Sequence, residues 1–194
     1  MRNKSLLRLV ETAILIAIGT VLSLIAFPGF WAFGGSVTLA SMLPIVILAH
    51  RYGTGWGLLS GFLYALLQMV LGFGNVQYAT GPLMAAGIIV LDYILPFTLI
   101  GLSAVFNPYI KSRPAAIAAG IGFTFFLRFL CHFISGVVIW NALFPNELQM
   151  AAPLYSLVYN GSYMLPETLF TLAAALSTYS LMKRFWEYQG KPVS

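Results

Sequence analysis

Asp92, Arg128, His132 and Glu167 are ionisable residues set inside apolar runs of this chain. Ionisable groups buried in hydrocarbon are costly, so each marks either a function or a required pairing. Arg128, His132, Gly136 and Trp140 recur at every fourth position of RFLCHFISGVVIW (128–140), which sets them on one face of one helix. A carboxylate, an imidazole and a guanidinium at such positions can bind an organic ion, relay protons or tie helices together. Aromatic and amide groups accompany them: Phe30 and Trp31, Tyr78, Tyr93, and then Tyr155, Tyr159, Asn160 and Tyr163.

The elements that must position these residues follow from composition. The chain has 194 residues, 60% hydrophobic and only 8% charged, against about 25% charged in a soluble domain. That composition is one of a polytopic membrane protein forming a single domain over 1–194. Segments at about 7–27, 36–51, 54–73, 81–107, 114–141 and 156–183 are candidate spans, each needing roughly 20 apolar residues. The second is short and contains Pro44, so a bend is expected there. The fold class expected is all-α, a bundle of six transmembrane helices.

The net charge of +5 does not indicate nucleic-acid binding, because the basic residues cap apolar runs instead of forming one patch. Arg2, Lys4, Arg8, Arg51, Lys111, Arg113, Lys183, Arg184 and Lys191 fall on one side. The loops FPGFWAFGG, GNVQYATG and NALFPNELQMAAP carry no Lys or Arg. The positive-inside rule then puts both termini in the cytoplasm. The first apolar run exits through bulky residues and reads as an uncleaved span, not a signal peptide. Cys131 is the single cysteine, so no internal disulfide is possible. No GxxxxGK[ST] phosphate loop is present, so ATP-driven work would need another subunit.

Depth along the spans sorts the ionisable residues. His132 lies roughly 13 Å, and Asp92 roughly 16 Å, below the outer ends of their helices. The two therefore share a level in the outer half of the membrane. Arg128 is one turn deeper, at the expected level of Glu167. Arg128 with Glu167 reads as a structural ion pair, with ligand contact the competing reading. Asp92 with His132 reads as a ligand site, with a helix-tying hydrogen bond the competing reading. Glu11 stands close enough to an inner helix end to reach the interface. Aromatic walls around one carboxylate suit a flat organic cation: ring faces attract positive charge, and Asn and His fix ring donors and acceptors.

Four segments carry a resemblance: GGSV (34–37), LDY (91–93), RFLCHFISGVVIW (128–140) and YSLVYNGSYMLPE (155–167). With them the chain resembles the thiamine-specific substrate-binding S-components of energy-coupling factor (ECF) transporters over essentially its whole length. The resemblance implies a six-helix bundle in the bacterial cytoplasmic membrane that captures thiamine from outside. It implies as partners a membrane coupling protein and two ATPase subunits. It also implies ligand contacts at Trp31, Asp92, Tyr93, His132, Gly136, Trp140, Tyr155 and Asn160. The acidic position is sometimes Glu in that family; Asp92 is one methylene shorter. Ala13 and Ala17, four apart on the first helix, match the family's face toward the coupling protein, and small residues at that spacing let helices approach closely.

Three rivals remain open to the sequence. An ion-coupled secondary transporter could use Asp92 and His132 as a proton relay, but no inverted repeat is evident. An enzyme would need a nucleophile or metal with an acid–base partner, and neither GxSxG nor HExxH occurs. His50 and His132 belong at opposite ends of the bundle, so no metal site, catalytic residue or cofactor is expected. An S-component for another flat vitamin such as riboflavin would share the same general pocket.

Overall fold

The computed structural model describes residues 4–27, 29 and 35–187. These form a helical bundle with one minimal β pair. Helix α1 (Lys4–Leu24) leads to strands β1 (Ala26–Phe27) and β2 (Val37–Thr38), which pair antiparallel with Ala26 opposite Thr38 and Phe27 opposite Val37. Helix α2 (Leu43–Tyr52) and helix α3 (Thr54–Leu71) follow. A 3-10 turn, Phe73–Tyr78, precedes the composite helix α4 (Pro82–Ala104). Helix α5 (Arg113–Leu143), helix α6 (Ala152–Leu181) and a short α7 (Lys183–Trp186) complete the bundle.

Four of these helices, α1, α3, α4 and α5, are long and apolar enough to cross a membrane. Helix α6 is longer than α1 and carries Asn160 and Glu167 on its buried side. The segment expected as a span over 36–51 is different: its helix has only ten residues. Pro44 lies in the first turn of α2, where it loses no intrahelical hydrogen bond. The residues before it are spent on β2 and a tight turn. Helix α2 is nonetheless the centre of the bundle, since every residue from Leu43 to His50 is buried.

The lipid-type surface is plain on α1. Thr12, Leu15, Ile16 and Gly19 form its buried stripe. Leu6, Leu9, Ile14 and Val21, on the other face, are each more than half exposed. A helix apolar on both faces suits a bilayer, where the outer face meets hydrocarbon. Ala13 and Ala17 lie on that exposed face.

Helices α3, α4 and α5 are drawn together by glycines. A Cβ at Gly57 would stand 2.5 Å from the Gly101 carbonyl oxygen, and one at Gly61 would stand 2.9 Å from the carbonyls of Phe97 and Thr98. A Cβ at Gly101 would fall on the backbone of Gly57, and one at Gly120 on the Ser103 carbonyl. Close approach through small residues is how membrane helices gain packing when lipid is as apolar as the side chains.

At one end of the bundle a polar clasp joins three parts of the chain. Arg51 Nε and Nη2 donate to the Glu11 carboxylate at 2.8 and 2.9 Å. Arg51 Nη1 donates to the Phe185 carbonyl, and the Tyr52 hydroxyl donates to Glu11. Glu11, expected only to reach the interface, thus pairs with Arg51 and Tyr52 across the bundle. Arg51→Met is expected to lower stability by about 1.5–3 kcal/mol, the range for hydrogen bonds to charged groups. A thermal melt in detergent checks this; an unchanged midpoint would mean that the clasp contributes nothing.

Candidate functional site

Away from that clasp the bundle encloses a cavity of about 310 Å³, at the lower end of the range for small-molecule sites. Asp92, Tyr93, His132, Gly136, Trp140, Tyr155 and Asn160 all line it. Trp31, the remaining expected contact, lies outside the described residues.

Two wide, π-helical turns build the cavity's acidic side. One, Ile89–Ile94, carries Asp92 and Tyr93 within α4; the other, Gly136–Trp140, carries Trp140 within α5. Single π turns inside α-helices occur frequently at functional sites, because the extra residue re-aims neighbouring side chains. Here the two turns face one another. Trp140 Nε1 donates to Asp92 Oδ2 at 2.9 Å, and His132 Nδ1 lies 3.4 Å from Asp92 Oδ1. Both oxygens of the carboxylate are therefore oriented by α5. His132 Nε2 is buried and has no hydrogen-bond partner among the described residues.

The opposite wall comes from α6. Asn160 Oδ1 accepts from the Tyr163 hydroxyl at 2.7 Å, while Asn160 Nδ2 lies 3.0 Å from the Ser156 carbonyl and 3.3 Å from the His132 carbonyl. The Ser156 hydroxyl donates to the Phe133 carbonyl at 2.9 Å. These bonds fix α6 against α5 beside the imidazole. Gly136 permits that approach, since a Cβ there would collide with Ser156 and stand 3.2 Å from Asn160 Nδ2. Tyr155, Tyr159 and Tyr163 stack along α6 with successive ring centroids 5.8 and 6.3 Å apart. Tyr163 also meets His132 edge-on at 6.4 Å. The wall is thus aromatic from its rim to its interior.

The expected Arg128–Glu167 ion pair is not formed. Glu167 is fully buried, and its carboxylate accepts from the Thr38 backbone N–H and, at 2.7 Å, from the Thr38 hydroxyl. The physical reason is local: the chain entering from β2 brings two donors to Glu167, and these satisfy the carboxylate. Val37 packs on Tyr163 and Met164 beside this anchor. Arg128 is 6% exposed and lines the cavity. Its Nε and Nη1 have no hydrogen-bond partner among the described residues, and its guanidinium carbon lies 5.0 Å from the Phe97 ring centroid.

Several lining residues went unmarked in the sequence reading. Ser23, Gln68, Asn75 and Phe144 contribute to the wall, and Gln68 Nε2 donates to Ser23 Oγ at 3.0 Å. None belongs to a motif, and only knowledge of which helices adjoin reveals them. Arg128 as a lining residue did carry a signal, its four-residue spacing from His132.

Among the described residues the geometry offers a carboxylate held by two donors, an imidazole nitrogen and two guanidinium nitrogens without hydrogen-bond partners, and aromatic surface from Trp140, Tyr155, Tyr159 and Tyr163. No nucleophile–base pair is among these groups. Residues 9–185 match the family described as "Thiamine transporter protein (Thia_YuaJ)". The chain is 32% identical to the thiamine transporter ThiT of Bacillus subtilis, over 85% of this chain and 86% of that protein. It is 30% identical to the thiamine transporter ThiT of Lacticaseibacillus paracasei, over 88% of this chain and 86% of that one. The solved structure of ThiT from Listeria monocytogenes superposes with a TM-score of 0.77 at 26% identity, covering 95% of this chain and all of the other. An aromatic cavity around a buried carboxylate, a matching fold and a sequence match along nearly the whole chain lead to one conclusion: this protein belongs to the thiamine transporter family.

Proposed function

We propose that this chain binds extracellular thiamine in the outer cavity and serves as the substrate-specific subunit of an ATP-driven ECF transporter. The family is one of transporters, not enzymes. The observation that carries the reading is the Asp92 carboxylate, held by Trp140 and His132 within a cavity walled by aromatic rings. Thiamine is a cation of two flat heteroaromatic rings, an aminopyrimidine and a positively charged thiazolium, joined by a methylene. Asp92 supplies the counter-charge, and the rings of Trp140, Tyr155 and Tyr159 supply faces that attract positive charge. His132 and Asn160 form the polar edge of the site, the ring of Tyr93 lines it, Gly136 lets α6 approach α5 beside it, and Trp31 adds a further aromatic group.

In this reading the chain crosses the bacterial cytoplasmic membrane six times with both termini in the cytoplasm. The short α2 and the residues before it together make the second crossing, and α6 makes the sixth. The exposed face of α1 around Ala13 and Ala17 meets the coupling protein, and two ATPase subunits supply the energy.

Fluorescence titration of the purified protein in detergent tests the proposal. Thiamine is expected to quench tryptophan emission saturably, with riboflavin and biotin inert, and Trp140→Phe is expected to remove much of that quench. Absence of thiamine binding would end the reading.

A further inference from the structure

We propose that Asn75 and Tyr93 form a latch that positions the outer rim of the cavity, making Asn75 a positioning residue for ligand retention. The proposal rests on the reading of this cavity as the thiamine site.

The latch is built on the end of α3. The Tyr93 hydroxyl donates to the Gly72 carbonyl at 2.6 Å and accepts from Asn75 Nδ2 at 3.0 Å. The Gly72 carbonyl, at the end of α3, also accepts from the Asn75 backbone N–H at 3.0 Å, so the phenol is its second donor and Asn75 meets the same junction through both its backbone and its side chain. A Cβ at Gly72 would stand 2.5 Å from the Tyr93 oxygen and 2.6 Å from its ring, so any larger residue there would have to displace the phenol from the turn. Tyr93 is buried at 7% exposure, so its hydroxyl is committed to the turn while its ring lines the cavity.

The turn needs such a tether. Phe73–Tyr78 buries no residue fully, so packing alone holds it weakly. Its far end carries Tyr78, whose ring meets Trp140 edge-on at 6.4 Å and Phe144 edge-on at 5.3 Å. Trp140 in turn donates to Asp92. The contacts therefore close a ring: Tyr93 to Asn75, along the turn to Tyr78, to Trp140, to Asp92, which adjoins Tyr93. One π turn of α4 grips both ends of this ring. With the latch made, Tyr78 braces the indole that orients the carboxylate and stands at the cavity rim. Without it the rim turn keeps only its backbone bonds and the packing of Val76, its brace on the indole loosens, and bound ligand escapes faster.

The test uses the full-length protein in detergent, with thiamine as the probe and stopped-flow tryptophan fluorescence as the readout. Tyr93→Phe removes a single oxygen atom and Asn75→Ala a single amide. Each is expected to raise the dissociation rate of thiamine about tenfold, the scale of one lost hydrogen bond, with the association rate little changed. Because both act through one latch, the double variant is expected to be no worse than the more affected single variant. A general loss of stability would not produce that combination of a selective off-rate change and non-additivity. Wild-type release rates in both single variants, or losses that simply add in the double, would overturn the latch. Failure of the wild-type protein itself to bind thiamine would instead remove the functional reading beneath it.

Discussion

Asp92→Asn is expected to weaken thiamine binding by about a hundredfold while leaving the melting temperature nearly unchanged. The substitution keeps the shape of the side chain and one carbonyl oxygen. That oxygen can still accept from Trp140 Nε1, which reaches Oδ2 at 2.9 Å in the native protein. What disappears is the negative charge. A charge-assisted hydrogen bond in a site of low polarity is worth roughly 1.5–3 kcal/mol, and the ligand cation also loses its counter-charge. The effect should therefore fall on affinity and not on folding. Riboflavin and biotin should remain inert in the variant. Equal affinity of Asp92→Asn and native protein, measured by fluorescence titration, would remove Asp92 from the site.

The second large effect concerns folding. Gly101→Val is expected to lower the melting temperature in detergent by about 10 °C or to prevent accumulation of folded protein. The added branch would be driven into the Gly57 backbone, which cannot rotate aside as a side chain can. Overpacking typically costs about 1–3 kcal/mol, and an obstacle made of backbone sets this site at the upper end. Gly122→Ala is the matched control. It lies in the same bundle, on α5, and a Cβ there meets nothing within 4 Å, so its melting temperature should stay at the native value. Equal midpoints for Gly101→Val and Gly122→Ala would show that the glycine seam does not set the helix spacing.

Much of the bundle was legible because hydrophobic run length is a strong signal where a membrane replaces water. The runs over 7–27, 54–73, 81–107 and 114–141 each coincide, within three residues, with most of a helix long enough to cross. The run over 36–51 holds a helix of only ten residues, Leu43–Tyr52, buried from Leu43 to His50, and apolar composition alone does not reveal how short that helix is. The common depth of Asp92 and His132 followed from helix rise alone, and the two side chains do approach to 3.4 Å. Depth also suggested Arg128 with Glu167, but depth says nothing about azimuth. Glu167 looks toward Thr38, which no periodicity connects to it. The two π turns were likewise invisible, since no residue type encodes an extra residue in a helical turn. They decide that Trp140, eight residues beyond His132, reaches the same carboxylate.

The polar clasp has a consequence for the order of biosynthesis. Glu11 leaves the ribosome with the first helix, Arg51 follows forty positions later, and the Phe185 carbonyl that completes the clasp arrives 134 positions after Arg51. Glu167 likewise receives the donors of Thr38 only across 129 positions. Each polar closure joins an early helix or loop to the last long helix or its end. During insertion Glu11 meets Arg51 and Tyr52 early, while Arg51 waits for the Phe185 carbonyl and the Thr38 donors wait for Glu167. Arrival of the C-terminal segment fastens both ends of the bundle at once, so the chain gains its final polar matching late, as a single event of completion.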